Sequence, residues 1–413
     1  MKRVVVLGAG FGGIEVAKKL SKKFELVVID RSNHFTFQPL LYQVATAALS
    51  PSNIANPIRC ILSRRPNTEV VMAEVLGVDP KEKKVIYAGG EVSYDYLVVA
   101  TGATHSYFGN DQWAADAPGL KSIFDATYLR SKILSSFEHA EVEREEAVRR
   151  ALMTFCIVGA GPTGVEIAGA LAELTRHTLR RDFDHIDPAS ASIYLIEAGP
   201  RVLSSFSPSL SEYAKNALEK MKVNVMVNHM VTGVDAEGVL IGKERIRSRN
   251  VIWCAGVQAS PVADWLGVPA GPNARVPVDA NCRVPQYPDI YVIGDAALFP
   301  TDNGRGLPGV APVAMQMGKY VAFHIRESDR GFPSIAGFKY KDKGNLATIG
   351  RTKAVMEIGK IKMTGFSAWM VWVFVHILYI AGFRNRTIIF IEWVWFYVSW
   401  RSGARLILPQ SSP

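Results

Sequence analysis

Cysteine is scarce in this sequence, and the spacing of the few that occur excludes two classes of site. The 413 residues include only Cys60, Cys156, Cys254 and Cys282. They form no CxxC or CxxxxC pair, and no histidine-rich segment lies beside them. A zinc site and a dithiol redox centre therefore have no support, and we expect no bound metal.

The sequence also lacks a long apolar run near its start. Glycines interrupt the apolar segment directly after Val4–Leu7, which is too short for the hydrophobic part of an export signal. We therefore expect a reducing compartment, which for a membrane-bound protein means the cytoplasmic side of the cell inner membrane. With 48% hydrophobic and 21% charged residues, the chain is typical of a globular protein, and its length suggests two or three domains.

Acidic residues are outnumbered, 38 against 47 Lys and Arg, which gives a formal charge of +9. Such a surplus suits a nucleic acid, an acidic substrate or an anionic membrane. Much of it lies in the C-terminal tail, where Glu392 is the one acid among the cations Lys360, Lys362, Arg384, Arg386, Arg401 and Arg405. The placement favours a membrane surface, and we expect no nucleic-acid partner.

The chain contains an internal repeat of two βαβ units. In the first, the strand-like KRVVVLG leads to a glycine motif at 8–13, a helical segment and a strand that ends at Asp30. In the second, MTFCIVG leads to a glycine motif at 159–164, a helix and a strand that ends at Glu197. Each motif is a GxGxxG in the strand-to-helix context of a dinucleotide site, although a glycine turn without a ligand is the simpler alternative.

The chemistry of these motifs favours two bound dinucleotides. Glycines permit a pyrophosphate to approach the start of a helix, whose free N–H groups attract anions. Asp30 and Glu197 would each accept hydrogen bonds from an adenosine ribose. The usual pair is a tightly held flavin and an exchanging nicotinamide. The first unit is the predicted flavin site, since a second flavin motif ending in Asp295 follows both units. Glu197 would repel the extra phosphate of NADPH, which predicts a preference for NADH.

Two polar residues stand out on predicted helices. Glu166 follows the second glycine motif, where a carboxylate is either functional or simply favoured by the helix dipole. Gln316 lies alone in the apolar segment 309–318, where such an amide is usually structural. The loop 35–43, rich in aromatic and amide side chains, follows Asp30 and is expected to face a ligand.

The C-terminal region is apolar and rich in tryptophan. The run 366–383 has no formal charge, and the run 387–400 contains only Glu392. Aromatic rings beside basic residues suit the interface of an anionic membrane, so we predict helices that lie on the membrane. A membrane-spanning hairpin and a buried helix pair at a dimer interface remain alternatives.

The chain resembles the type II NADH:quinone oxidoreductases, single-subunit respiratory flavoenzymes that do not pump protons. The resemblance covers nearly the whole length and depends on segments in the family's order. They are the two glycine motifs, 37–51, 161–174, 196–203, 292–297, 345–355 and 366–377. The glycine motifs indicate only the wider group of flavoproteins with two dinucleotide sites, whereas the C-terminal segments are specific.

The resemblance implies a set of site residues. The implied FAD contacts are Gly8, Gly10, Gly12, Gly13, Asp30, Val75, Thr101, Gly102 and Asp295. The implied NADH contacts are Gly159, Gly161, Gly164, Glu166, Glu197 and Gly256. Glu166 matches the family glutamate near the nicotinamide and flavin, and Gln316 matches the glutamine at the quinone site, so both are expected to be catalytic. The family usually has Gln directly after Ala311, so Pro312 is a departure.

The reaction implied by the resemblance is hydride transfer from NADH to the flavin, followed by passage of two electrons to a membrane quinone. A homodimer is also implied. Sulfide:quinone reductase remains an alternative, although such enzymes need partnered cysteines. A slow redox-sensing flavoprotein is the alternative from another class. Neither the quinone nor the oligomeric state follows from the sequence.

The predicted fold is α/β, with two Rossmann-like dinucleotide-binding domains in the FAD/NAD(P)-linked reductase architecture. A C-terminal amphipathic region is predicted to anchor the protein to the membrane. The predicted FAD-binding domain comprises 1–118 and 273–335, the NADH-binding domain 119–272, and the membrane-anchoring and dimerisation region 336–413. Between the two units, a single charged helix is predicted from Tyr128 to Ala151.

Overall fold

The computed structural model describes residues 1–301, 304, 306–331, 336–380, 382–399 and 404–407. Its contacts divide the chain into two units. Unit 1 comprises Met1–Thr36, Asn56–Thr104 and Val257–Lys343. Unit 2 comprises Phe37–Ala55, His105–Gly256 and the described residues of Gly344–Pro413. Each unit contains one glycine motif, and the three domains predicted from the sequence stay a prediction.

The described strands are short, from two to six residues long. In chain order they are β1 Arg3–Leu7, β2 Glu25–Asp30, β3 His34–Thr36, β4 Ala55–Pro57, β5 Thr68–Met72, β6 Val75–Asp79, β7 Lys84–Tyr87, β8 Gly90–Ser93, β9 Tyr96–Val99, β10 Ala103–His105, β11 Thr154–Val158, β12 Ser192–Glu197, β13 Val223–Val227, β14 Gly233–Asp235, β15 Gly238–Ile241, β16 Glu244–Arg247, β17 Asn250–Trp253, β18 Val257–Ala259, β19 Val276–Pro277, β20 Arg283–Val284, β21 Tyr287–Val292, β22 Ala297–Leu298, β23 Asn345–Gly350, β24 Lys353–Ile358 and β25 Ile361–Thr364.

The helices range from single turns to long segments. They are α1 Phe11–Lys19, α2 Leu41–Ala45, α3 Pro51–Ile54, α4 Ile58–Leu62, α5 Ile123–Val142, α6 Glu146–Leu152, α7 Pro162–Glu173, α8 Pro208–Lys220, α9 Val262–Leu266, α10 Ala311–Asp329, α11 Gly365–Tyr379 and α12 Phe383–Ser399. A π-helical segment, Leu174–Thr178, continues directly from α7.

Unit 1 is built on a six-stranded sheet in the order β20-β21-β9-β1-β2-β5. The strands from β21 to β5 are parallel, and β20 runs antiparallel to β21. Strand β1 is an almost fully buried apolar run, as expected of a parallel strand covered on both faces. Because Leu7 pairs with Ile29, the glycine motif after β1 and Asp30 at the end of β2 lie at the same edge of the sheet.

Unit 2 repeats this arrangement on a parallel sheet in the order β13-β12-β11-β17. Val158 pairs with Ile196, so the second glycine motif lies beside Glu197. Helix α7 also packs against β23 of the antiparallel sheet β23-β24-β25. The contact requires Gly169, because a Cβ there would lie 1.8 Å from the carbonyl oxygen of Ile349. This close packing places the buried face of α7 directly against β23.

The single helix predicted from Tyr128 to Ala151 is wrong. The structure has two helices, α5 and α6, separated by residues 143–145. Glu143 is extended, with φ −73° and ψ 130°, and its carboxylate accepts a hydrogen bond of 2.8 Å from the N–H of Glu145. The side chain thereby offers the backbone a local partner that competes with helical hydrogen bonding.

Helices α11 and α12 bury tryptophans on one side and expose apolar side chains on the other. Trp372 and Trp393 are buried, with ring centroids 5.3 Å apart. An exposed apolar stripe on α11, spaced by four residues, consists of Phe366, Met370, Phe374 and Leu378. Arg401 of the basic tail lies outside the described residues. None of the helices in the described ranges is both long enough and apolar enough to cross a membrane.

Candidate active site

The first glycine motif forms a tight turn between β1 and α1. A Cβ on Gly13 would lie 1.9 Å from the carbonyl oxygen of Gly8, so the turn closes only with glycine at this position. At Gly10, the N-cap of α1, a Cβ would meet nothing within 4 Å, and no side chain caps the helix. Open space at uncapped helical N–H groups fits the pyrophosphate of a dinucleotide.

Asp30, at the end of β2, is hydrogen-bonded to this turn. Its Oδ2 accepts a hydrogen bond of 2.6 Å from the N–H of Ala9, and its Oδ1 accepts one of 2.7 Å from Ser32. The carbonyl oxygen of Asp30 accepts a further bond of 3.0 Å from Ala73, so the segment leading to Val75 runs beside the same strand end. The carboxylate thus lies where an adenosine ribose is expected.

Other predicted flavin residues of unit 1 lie in two turns. Asp295 is not at the end of β21 but three residues beyond it, in the turn Gly294–Ala296. This turn reaches the glycine motif, because a Cβ on Gly12 would lie 3.0 Å from the side chain of Ile293. Thr101 bonds to the Oγ of Ser260 across 2.5 Å, and the Gly102 carbonyl accepts from the backbone N–H of Ser260.

The second glycine motif has the same geometry as the first. A Cβ on Gly164 would lie 1.9 Å from the carbonyl oxygen of Gly159. Glu197 Oε2 accepts a hydrogen bond of 2.7 Å from the N–H of Ala160, which corresponds to the bond between Asp30 and Ala9. Helix α7 starts with Gly161 as its N-cap and Pro at its first position. The sequence repeat is therefore a structural repeat of two glycine turns of the same geometry.

Gly256 lies three residues after β17, the strand beside β11 in unit 2. Its carbonyl oxygen accepts a hydrogen bond of 3.1 Å from the N–H of Ser106. The segment before it packs on the glycine turn, because a Cβ on Gly159 would lie 2.6 Å from the Cα of Ala255. Gly159, Glu197 and Gly256 thus lie at the carboxyl ends of three neighbouring strands, β11, β12 and β17.

Glu166 lies in the second turn of α7 and opens into a cavity of about 70 Å³. Its Oε1 accepts a long hydrogen bond of 3.4 Å from the backbone N–H of Thr348. Burial raises the pKa of Glu166 to about 8, more than the Thr348 bond lowers it. At neutral pH the side chain therefore holds a proton that it can donate.

A hydrogen-bonded chain connects the cavity wall to the C-terminal helix. The hydroxyl of Tyr42 bonds to Thr348 Oγ1 across 3.1 Å and accepts a bond of 2.9 Å from Gln43 Nε2. Gln43 Oε1 in turn accepts a bond of 2.8 Å from Trp393 Nε1. Trp369, Trp372 and Trp393 complete an apolar side of the cavity.

Gln316 lies on a helix, as predicted, namely α10 of unit 1. Both the nitrogen and the oxygen of its side-chain amide form hydrogen bonds with the backbone of Lys341. Its Nε2 donates a hydrogen bond of 3.0 Å to the carbonyl oxygen of Lys341, and its Oε1 accepts one of 3.0 Å from the Lys341 N–H. An amide nitrogen carries two hydrogens. The second can donate to a substrate carbonyl while the first holds Lys341.

Sequence reasoning missed Glu173 and Thr348 as residues of the cavity. Glu173 lies seven positions after Glu166, which places it on the same face of α7, and this spacing was the available signal. Thr348 belongs to the family-like segment 345–355, but nothing in its residue type predicts its contact with Tyr42. In the described part of the chain, no group of three or more His, Cys, Asp or Glu could hold a metal ion.

Comparison with known proteins identifies the family. The pyridine nucleotide-disulphide oxidoreductase family matches residues 2–318. The type II NADH:quinone oxidoreductase Ndh of Mycobacterium tuberculosis is 40% identical over 426 residues, a match that covers 99% of this chain and 91% of that protein.

Solved structures agree on the fold. The structure of NDH2 from Plasmodium falciparum in complex with NADH superposes with a TM-score of 0.90 at 22% identity, covering 99% of this chain and 100% of that one. The sulfide:quinone oxidoreductase of Aquifex aeolicus gives 0.75 at 18% identity, covering 94% and 92%. With 40% identity to Ndh over nearly its whole length, the chain belongs to the type II NADH:quinone oxidoreductases, within the pyridine nucleotide-disulphide oxidoreductase family.

Proposed function

We propose that the protein oxidises NADH and reduces a membrane quinone, with FAD as its bound flavin and without pumping protons. The main observation behind this function is that the two glycine turns have the same geometry. In each turn a backbone N–H donates a hydrogen bond to a carboxylate at the end of the next strand. One chain with two such turns suits a resident flavin and an exchanging nicotinamide.

Unit 1 is the proposed flavin site. Gly10 at the uncapped start of α1 and Asp30 at the strand end would hold the pyrophosphate and ribose of FAD. The remaining proposed contacts are Gly8, Gly12, Gly13, Val75, Thr101, Gly102 and Asp295. When bound, FAD supplies the two-electron chemistry between NADH and the quinone.

Unit 2 is the proposed NADH site, with contacts at Gly159, Gly161, Gly164, Glu197 and Gly256. Both oxygens of Glu197 accept backbone hydrogen bonds, from Ala160 at 2.7 Å and Gly199 at 2.8 Å. A carboxylate held in this position would repel the additional phosphate of NADPH. We therefore propose that NADH is preferred.

Glu166 and Gln316 are the proposed catalytic residues. Glu166 holds a proton at neutral pH and would deliver it during quinone reduction. Gln316, held in place through Lys341, would donate its second amide hydrogen to a quinone carbonyl.

The cysteines do not support sulfide chemistry as an alternative. Burial raises the pKa of both Cys156 and Cys254 to about 12, so their thiols stay protonated at neutral pH. Cys60 is exposed, and all four cysteines are free. Sulfide:quinone chemistry needs a reactive cysteine pair, which these properties do not favour.

The C-terminal helices are the proposed membrane surface. The stripe Phe366, Met370, Phe374 and Leu378 exposes apolar area along α11. Arg384, the second residue of α12, is exposed as well. An apolar face beside a cation suits the interface of an anionic bilayer on the cytoplasmic side of the inner membrane. The same region is the proposed homodimer contact, and sedimentation in mild detergent as a monomer would contradict the dimer.

The assignment of the two turns can be tested with two glycine variants. Gly13→Ala should prevent flavin binding, whereas Gly164→Ala should retain the flavin and lose its reduction by NADH. Flavin absorbance of the purified proteins and stopped-flow mixing with NADH measure both properties. A Gly164→Ala protein that is reduced by NADH at the normal rate would contradict the assignment of unit 2.

A further inference from the structure

A second carboxyl, Glu173, opens into the cavity that contains Glu166. The two glutamates lie seven positions apart on one face of α7, about 10 Å apart along the helix axis at a rise of 1.5 Å per residue. The wall that they share is formed by α2, β23 and the tryptophans of α11 and α12. A single cavity therefore connects two acidic groups along one helix.

The surroundings of Glu173 suit a group that gains and loses a proton near neutral pH. Glu173 is the last residue of α7, and the π-helical segment continues directly from it. Its Oε1 accepts a short hydrogen bond from the backbone N–H of Arg351. Burial raises the pKa of Glu173 to about 7, against the lowering effect of that bond and of the charges on Arg351 and Lys353.

The other titratable groups near the two carboxyls are few. Burial raises the pKa of the Tyr42 hydroxyl far above neutral. The nearby carboxyls of Glu166 and Glu173 raise that pKa further. His177, on the π-helical segment, lies near Arg351, and burial and that charge lower its pKa. Neither side chain competes with the glutamates for a proton at neutral pH.

Polar groups along the cavity can hold water between the carboxyls. The hydroxyls of Tyr42 and Thr348 bond to each other on its wall. Trp372, which is 2% exposed, has an indole N–H without an acceptor among the described residues. A buried donor of this kind normally meets an ordered water, and a cavity of about 70 Å³ has room for more than one.

The proposed reaction needs a proton path of this kind. Its balance is NADH + H⁺ + quinone → NAD⁺ + quinol, so each turnover consumes a proton from water. Trp369, Trp372 and Trp393 form one side of the cavity, and polar groups line other parts of it. The cavity therefore offers a route by which a proton can reach Glu166.

We propose that Glu173 is the entry group of a two-carboxyl proton relay, which takes a proton from solvent and passes it through cavity water to Glu166. This inference rests on the proposed NADH:quinone function. In each cycle the Glu166 carboxylate that has given up its proton receives one from protonated Glu173, and Glu173 then regains a proton from water. No electrons move in these steps. Glu173 acts through Glu166 and needs no contact with the quinone.

The test uses Glu173→Gln in the full-length, flavin-loaded protein. Glutamine keeps an oxygen that can accept the Arg351 N–H bond but cannot carry the proton. We expect flavin reduction by NADH to proceed at the normal rate, and reoxidation by a short-chain quinone to slow by about tenfold with a larger slowing in D₂O. Glu173→Asp, which keeps a carboxyl, should retain most of the rate. Glu212→Gln, at an exposed position of α8 in the same unit, is the matched control.

A second readout is independent of turnover. Infrared spectra between pH 5 and 9 should contain a protonated-carboxyl band that titrates near neutral pH and is lost in Glu173→Gln but not in Glu212→Gln. Normal reoxidation of Glu173→Gln at every pH, or an unchanged carboxyl band, would overturn the relay. Failure of the unsubstituted protein to be reoxidised by any quinone would instead overturn the proposed function.

Discussion

Trp393 Nε1 donates a hydrogen bond of 2.8 Å to Gln43 Oε1, and so connects helix α12 to helix α2. Gln43 continues the connection through Tyr42 to Thr348, whose backbone N–H bonds to Glu166. The C-terminal helix thus shares one hydrogen-bonded chain with the buried carboxyl of the candidate active site. Changes in α12 should therefore affect unit 2 beyond the helix itself.

Replacement of Trp393 by Phe should destabilise the protein by about 1 kcal/mol, because it leaves the half-buried Gln43 oxygen without its donor. The measurement is the thermal unfolding midpoint of the purified protein. Trp395→Phe is the matched control, since Trp395 lies on the same helix and is 61% exposed. Equal midpoints for the two variants would contradict a stabilising role for the bond.

Glu197 should determine the choice of coenzyme. The unsubstituted protein is expected to have a kcat/KM at least about tenfold higher for NADH than for NADPH, because the carboxylate repels the 2′-phosphate. Glu197→Gln should reduce that ratio, whereas Glu244→Gln at an exposed strand position should not. Comparable kcat/KM values for the two coenzymes in the unsubstituted protein would disprove the preference.

The buried carboxyl of Glu166 should make the protein less stable as pH rises. Burial raises the pKa of Glu166 from its ordinary value of 4.5 to about 8 in the folded chain, so the folded state retains a proton that the unfolded state releases between these values. Its contribution to stability is therefore complete below about pH 4.5 and is lost as pH rises towards 8, with a slope of at most about 1.4 kcal/mol per pH unit.

Urea unfolding at pH 5 and pH 8 measures this effect. Glu166→Gln removes the titrating group, so the difference in unfolding free energy between the two pH values should become smaller than in the unsubstituted protein. Glu212→Gln should leave that difference unchanged. An identical pH dependence with and without Glu166 would contradict the raised pKa.

The exposed stripe of α11 should contribute to membrane binding. Phe374 is 64% exposed, and Phe374→Glu places a charge in the middle of the stripe. Sedimentation with vesicles that contain anionic lipid should show binding reduced severalfold, because an acid would enter the apolar interface. Phe124→Glu is the control, as Phe124 is 65% exposed on α5. Equal loss in both variants would contradict a specific role of the stripe.

The glycine motifs made the two turns between strand and helix predictable from sequence. In each unit the glycine motif and the acidic residue follow consecutive strands of the sequence. Because the two strands are parallel, their carboxyl ends lie side by side, which brings Gly8 near Asp30 and Gly159 near Glu197. The local order of strand, turn and helix therefore determines this part of the site. Glu166, in the family-like segment 161–174, and Gln316, in the apolar segment 309–318, both lie on helices, as predicted.

Other features depend on contacts between distant segments. From the sequence alone, Glu173 cannot be distinguished from a surface glutamate. Its environment depends on the close packing of α7 on β23 at Gly169 and on the hydrogen bond from the Arg351 N–H. The interruption between α5 and α6 was missed because the charged segment has helical propensity, while the bond from Glu145 to Glu143 is a local alternative. The hydrophobic periodicity of the sequence predicts neither the environment of Glu173 nor the break between α5 and α6.

Flavin absorbance of the purified protein without oxygen, recorded after stoichiometric NADH and again after a short-chain quinone, tests the central claim most directly. It follows both halves of the proposed reaction in one sample. We predict bleaching by NADH and rapid recovery on addition of the quinone. Bleaching without recovery, or with recovery only over many minutes for every quinone tried, would contradict quinone reductase activity and favour a slow redox-sensing flavoprotein.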